Sequence, residues 1–161
     1  MEIRKARLEE LDSLMEVFDK ARSFMRSTGN SSQWVNGYPK REMVEEDIKN
    51  GNCYVSVEGD RITGTFALIE GDDPTYAVIK GGQWINSNPY GTIHRAASSG
   101  EKKGLFGEYV RWAFEKCGNL RADTHEDNKI MQHLLEKNGF EYCGIITVGD
   151  GTPRRAYQKI K

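Results

Sequence analysis

Three extended stretches follow one another in the middle of the chain with no helical pattern between them: Cys53–Glu58, Ile62–Ile69 and Tyr90–Ala97. Such a run excludes the strict strand–helix alternation of a doubly wound nucleotide fold. The first two stretches are joined by Gly59-Asp60, a tight hairpin turn. The third is reached through an irregular segment, Gly71–Asn88, broken by Asp72-Asp73-Pro74, Gly81-Gly82 and Asn88-Pro89.

Helical periodicity takes over on either side. Leu11, Leu14, Met15, Phe18, Ala21 and Met25 mark one face of a helix from Leu8 to about Met25, closed by Thr28-Gly29-Asn30. Further helices are predicted over Glu42–Lys49, from about Gly104 to Lys116, and over Asn128–Lys137. Gly139 stands where a left-handed C-terminal cap belongs, with Phe140 placed to fold back on the helix. Strands at Glu2–Lys5, Leu120–Thr124, Phe140–Val148 and Arg155–Lys159 complete the order. With 161 residues and no repeat or linker, the expectation is one domain over 1–161. Its class is α/β (α+β), a central mixed sheet with helices on both faces.

The segment from Tyr90 to Cys117, YGTIHRAASSGEKKGLFGEYVRWAFEKC, carries the chemistry. A strand feeds a loop holding Gly100, Lys102, Lys103, Gly104 and Gly107, and the loop opens directly into a helix. Free amides and the positive end of the helix dipole then converge on one spot, an anion site suited to phosphate. Glycine lets the backbone approach a ligand closely and take positive φ. Neither GxxxxGK[ST] nor GxGxxG is present in this loop.

The anion site has to be local, because 23 basic and 24 acidic side chains leave a formal charge of -1. Nucleic acid and membrane surfaces are therefore not expected partners. Cys53, Cys117 and Cys143 form no CxxC pair and read as reduced thiols. The opening MEIRKARLEELDSL has no apolar signal core, which makes the cytoplasm the expected location. His94, His125 and His133 show no metal-ligand spacing, and no metal is expected.

The order of elements together with the loop resembles the GNAT superfamily of acetyltransferases, whose acetyl-CoA motif is (Q/R)-x-x-G-x-(G/A). Aligned on Gly104, that pattern falls on Glu101-Lys102-Lys103-Gly104-Leu105-Phe106. A second likeness is NKIMQHLLEKNGF, Asn128 through Phe140, similar to the family's N-x-x-(A)-x-x-L-(Y)-E-K-x-G-F helix. The departures are Glu101 for the family's Gln or Arg, Phe106 for its small residue (with Gly107 following), and Leu135 at its frequent tyrosine acid.

The resemblance implies an acetyl-CoA-dependent N-acetyltransferase with an amine acceptor, on a GNAT-like acyl-CoA acyltransferase fold. A non-catalytic CoA-binding module of the same fold is the alternative, which Leu135 keeps open. By resemblance the pantetheine arm lies against Ala96, Ala97 and Ser98, and the pyrophosphate sits on the amides of Lys102, Lys103, Gly104, Leu105, Phe106 and Gly107. Asn128 reaches the pantetheine, and the loop carrying Gln33, Trp34 and Tyr38 walls the acceptor site. Trp84 is a further acceptor-site candidate. His94, on the strand beside the thioester, is the candidate base, with packing on the opposite face as the other reading. Tyr142 is the candidate acid, with Tyr157 beside it in the same role. The identity of the amine stays open.

Overall fold

The computed structural model describes residues 1–31 and 33–161. In chain order the elements are β1 (Glu2–Lys5), α1 (Leu11–Ser27), α2 (Arg41–Lys49), β2 (Cys53–Glu58), β3 (Arg61–Glu70), β4 (Gly91–Ser98), α3 (Leu105–Cys117), β5 (Asn119–Thr124), α4 (Lys129–Lys137), β6 (Glu141–Thr147) and β7 (Pro153–Ile160). The expected first helix starts later than Leu8, because Leu8–Glu10 winds as a 3₁₀ turn. There the Glu10 carboxylate accepts from the Arg7 amide at 2.8 Å and from the Arg4 guanidinium at 3.0 and 2.7 Å.

The seven strands form one mixed sheet in the order β1-β2-β3-β4-β5-β7-β6. Every neighbouring pair is antiparallel except β4 and β5. Alternating residues send opposite faces of the same strands to different helices. Val55 and Val57 of β2 meet Leu14, Val17 and Phe18 of α1, with Val44 of α2 beside them. Tyr54 and Phe66 face the other way, onto Tyr109, Val110 and Ala113 of α3. Asn128 caps α4 by accepting from the Met131 amide at 3.0 Å. Gly139 at φ 90° ends that helix, with the Phe140 amide donating to Leu135 O at 3.0 Å.

Two irregularities shape the middle of the sheet. Thr65 pairs with Ala97 and Ala67 with His94, so Arg95 and Ala96 together stand against Phe66 alone. This is a β-bulge, and Arg95 takes the left-handed region at φ 50° to make it. The Arg95 guanidinium clamps the strained residue in place: Nε and Nη2 donate to both carboxylate oxygens of Asp47 on α2, at 2.8 and 3.0 Å. The second irregularity is that β4 and β5 pair only at Gly91–Leu120 and Thr92–Arg121 and then part. Beyond Thr92 the β5-facing edge of β4 has no strand partner among the described residues.

The segment Gly71–Asn88 is largely irregular, as expected, yet firmly held over β5, β7 and β6. The Arg121 guanidinium lies 4.0 Å from the ring centres of both Trp84 and Tyr90. Trp84 Nε1 donates to Tyr76 O at 2.9 Å, and the Ile85 amide donates to Gln158 Oε1 at 2.9 Å. Among the described residues, no helix is long and apolar enough to cross a membrane.

Gly64 of β3 shows how close α3 approaches. A Cβ there would run into the Tyr109 hydroxyl and come within 2.7 Å of Ala97 O. The hydroxyl has a buried hydrogen bond to Ser56 Oγ at 2.9 Å, so it has no room to yield. Gly64→Ala is expected to cost about 3 kcal/mol of folding stability by overpacking. Urea unfolding measures this, and a variant as stable as the parent would contradict the packing described.

Candidate active site

Where β4 and β5 part, two chambers open and share Met25, Ala96, Phe106, Asn128 and Met131 as a common neck. The smaller, about 450 Å³, has the end of β4 and the start of α3 as its floor. Ala96, Ala97, Ser98, Lys102, Gly104, Leu105, Phe106 and Gly107 all line it. Phe24 of α1 and Leu134 of α4 close it from above. Lys103, expected in the same site, is exposed and lines neither chamber.

The amide geometry of the loop follows from its glycines. Gly100 and Gly104 take φ 88° and 77°, which L side chains rarely adopt, and open space surrounds both where a Cβ would stand. Ser98 Oγ accepts from the Gly100 amide at 3.1 Å, and Ser99 Oγ from the Glu101 amide at 3.4 Å. Among the described residues, the amides from Lys102 through Gly107 meet no partner. That row of donors at the positive end of a 13-residue helix fits a diphosphate. The charges of the loop point elsewhere: Glu101 pairs with Arg61 at 2.5 Å, and Lys102 pairs with Glu58.

The larger chamber, about 690 Å³, lies on the other side of the neck. Trp34 and Tyr38 line it as expected, while Trp34 also packs edge-on against Phe18 at 5.7 Å. Gln33 lines it too, but its Oε1 is already gathered in. It accepts from Asn30 Nδ2 at 3.2 Å, Asn128 Nδ2 at 3.3 Å, Thr124 Oγ1 and the His125 amide, both at 3.4 Å. Gln33 thereby ties its own segment to the end of β5. Asn128, engaged at both ends of its amide, acts first as a helix cap and a wall of the neck.

His94 lines the same chamber, and its Nε2 meets Asp73 Oδ2 at 3.1 Å. Asp73 Oδ1 accepts from the Thr75 amide at 2.8 Å and the Thr75 hydroxyl at 2.7 Å. The His94 hydrogen bond, helped by those from Thr75, outweighs burial and draws the Asp73 carboxyl down to about 2. Asp73 is thus an anion at any ordinary pH, and it holds the imidazole with Nε2–H toward itself. In neutral His94 the lone pair is then on Nδ1. A second pair stands nearby: the Tyr76 hydroxyl donates to Asp123 Oδ2 at 2.6 Å. Full burial, with Asp123 adding to it, pushes the Tyr76 phenol well above its ordinary value, so it stays a donor.

Two expected site residues stand elsewhere. Tyr142 is 43% exposed on the edge strand β6, with the Arg155 guanidinium 4.2 Å from its ring centre, and it lines neither chamber. Trp84 supports Tyr76 and Arg121 from behind and also lines neither. Tyr157 is fully buried, its hydroxyl accepting from Arg155 Nε at 3.1 Å. Residues that sequence reasoning missed take their place: Asp73 from the irregular segment, Asp123 from β5 and Arg154 from β7.

No family model matches the sequence. Among solved structures, an acetyltransferase of the GNAT family from Streptococcus agalactiae is 39% identical, with a TM-score of 0.91 over 99% of this chain and 95% of that one. A ribosomal-protein-alanine N-acetyltransferase from Brucella melitensis shares the fold at 18% identity and a TM-score of 0.66, over the full length of both chains. Among curated proteins, the uncharacterised N-acetyltransferase YvbK of Bacillus subtilis is 24% identical over 107 residues, 66% of this chain. The match spans 61% of that relative's length.

Proposed function

The chain belongs to the GNAT family of acetyltransferases, and from that premise we propose that it transfers an acetyl group from acetyl-CoA to the nitrogen of an amine. The observation that carries this reading is the parting of β4 and β5. It joins a row of free amides on one side to a chamber holding His94 and Asp73 on the other.

Acetyl-CoA supplies an acyl carbon activated as a thioester and a thiolate leaving group. The amides of Lys102–Gly107 hold the pyrophosphate, and the unpaired edge of β4 at Ala96–Ser98 takes the pantetheine arm as an added strand. Met25, Phe106 and Met131 surround the neck and exclude water from the reacting centre. Trp34 and Tyr38 wall the path of the amine. His94 Nδ1 takes the proton that the amine loses, and Asp73 balances the imidazolium that results. Leu135, in the chamber wall where relatives of the resembled motif carry a tyrosine, donates no proton. The departing thiolate is a good leaving group, its thiol titrating near ~8.5, and solvent can protonate it.

A ligand that binds only the native state at about 100 times its Kd adds roughly 2.7 kcal/mol of stability. For a chain of this size that raises the melting temperature by about 5–10 °C. Saturating acetyl-CoA is expected to do so, and acetyl-CoA with a suitable amine is expected to release free thiol. A folded protein whose melting point acetyl-CoA leaves unmoved would overturn the reading.

A further inference from the structure

The charges of the larger chamber are mostly matched within the protein. Arg95 is held by Asp47, Lys40 donates to Asn36 O at 2.5 Å, and Asp73 is satisfied by His94 and Thr75. Asp150 accepts from the Thr152 amide at 3.0 Å and from the Thr152 hydroxyl at 2.5 Å. Asp150 is exposed, whereas two less exposed groups of opposite charge, Arg154 and Asp123, also keep open polar atoms.

Arg154 is 9% exposed, and it lines the chamber. Its Nη1 donates to Thr152 Oγ1 at 2.7 Å and to Pro153 O at 3.0 Å. Among the described residues, Nε and Nη2 meet no acceptor, and no carboxylate forms an ion pair with the guanidinium. The Thr152 hydrogen bonds, with a smaller contribution from the Arg154 charge, hold the Asp150 carboxyl below its ordinary value, so Arg154 has a counter-charge nearby, yet its Nε and Nη2 stay open to an anion entering the chamber. The open partner on the other side is Asp123. Tyr76 occupies its Oδ2, and Oδ1 has no partner among the described residues.

The sheet register sets these two side by side. Asp123 pairs with Ala156, and Arg154 lies two residues along β7 on the same face as Ala156. Such diagonal neighbours have Cα atoms roughly 7–8 Å apart. A ligand whose own positive and negative groups lie a few bonds apart bridges them. A polyamine would satisfy Asp123 and leave Arg154 bare, and a simple anion would do the reverse.

We propose that the acceptor is a small amino carboxylate, a free amino acid or a close analogue. Its carboxylate seats on the fork of Arg154, and its ammonium seats at Asp123 before His94 receives the proton. The proposal rests on the acetyl-transfer reading above and adds the acceptor class to it.

The test compares matched substrates: a panel of free amino acids, their carboxamides and the amines left by removing the carboxyl group. Thiol release from acetyl-CoA is followed in the parent, R154Q and R154K, with acetyl-CoA melting shifts measured alongside. The parent is expected to prefer at least one free amino acid over both of its counterparts by about 10- to 100-fold in kcat/KM, the range of a charge-assisted hydrogen bond. R154Q should lose that preference mainly through KM while keeping its acetyl-CoA shift, and R154K should recover part of it. Should R154Q fail to fold, the substrate comparison in the parent decides alone. Equal or better use of the carboxyl-free amines overturns the proposal and leaves acetyl transfer to amines standing. A preference that survives intact in R154Q also overturns it. No transfer to any amine, in a protein that acetyl-CoA still stabilises, overturns it together with the catalytic reading.

Discussion

Replacing Gly104 by aspartate should weaken acetyl-CoA binding by about a thousandfold while leaving the fold nearly as stable as before, taking two lost amide–phosphate bonds at roughly 2 kcal/mol each. Gly104 is the N-cap of α3 at φ 77°, with open space where a Cβ would stand. The new side chain meets no steric obstacle in the protein. Its backbone strain is moderate, since aspartate tolerates the left-handed region better than most residues do. Its carboxylate, however, lands among the amides that have no other partner and answers them itself. A phosphate would have to displace a tethered anion and then tolerate its charge. Gly104→Ala separates strain from charge: it carries at least as large a φ penalty and no carboxylate, and should lose far less affinity. Calorimetric titration with acetyl-CoA decides the matter. Undiminished affinity in the aspartate variant would place the anion site elsewhere.

The second large effect is expected at His94. His94→Ala should lower kcat by about 10²–10³-fold at neutral pH, within the usual range for a positioned base. Tyr142→Phe and Tyr157→Phe should each keep most of the activity. Tyr142 lies outside both chambers, and the Tyr157 hydroxyl is buried against Arg155. The pH profile makes the base assignment specific. An amine with pKa near ~10 is mostly protonated at pH 7, and its free fraction grows as pH rises. The deficit of the alanine variant should therefore shrink toward alkaline pH. Asp73, drawn down to about 2, adds no limb to the profile in the working range. A collapse of about a thousandfold in either tyrosine variant, with folding and acetyl-CoA binding intact, would mean that a dedicated acid exists on the late strands and that the base is not the limiting group.

The elements were legible because their signals are local. The helical spacing from Leu11 to Met25, the cap at Gly139 and the glycine-lysine loop into α3 each lie within a few turns of chain, and each forms as expected. The candidate site was legible only where it is also local. The loop amides belong to one segment, whereas Asp73, His94, Asp123 and Arg154 come from four places and meet only through the order of the strands. Asp73 sits in a stretch whose proline and glycines read as mere punctuation. The side a strand residue faces also depends on bulges that alternation does not reveal. One lies at Arg95 on β4 and another between Tyr142 and Gly144 on β6. The ring contact that fixes Trp84 has no local signal either, because its partner, Arg121, is 37 positions away, on a strand.

The pairing of Glu101 with Arg61 and of Lys102 with Glu58 gives the cofactor loop the character of an ion exchanger. At rest Glu101 and Lys102 are paired with the β2–β3 hairpin, so Lys102 offers no bare cation to passing chloride or inorganic phosphate, while Lys103 stays exposed beside them. A small monovalent ion that lured Lys102 away would break one pair to make another and gain little. A polyanion that also fills the amide row gains far more than it breaks. Both resting pairs are partly solvent-exposed, so dissolved salt loosens them over a screening length of about 8 Å at physiological strength. Discrimination among anions is thereby written into the counter-ions the loop already holds, and ionic strength becomes a dial on its selectivity as well as on its affinity.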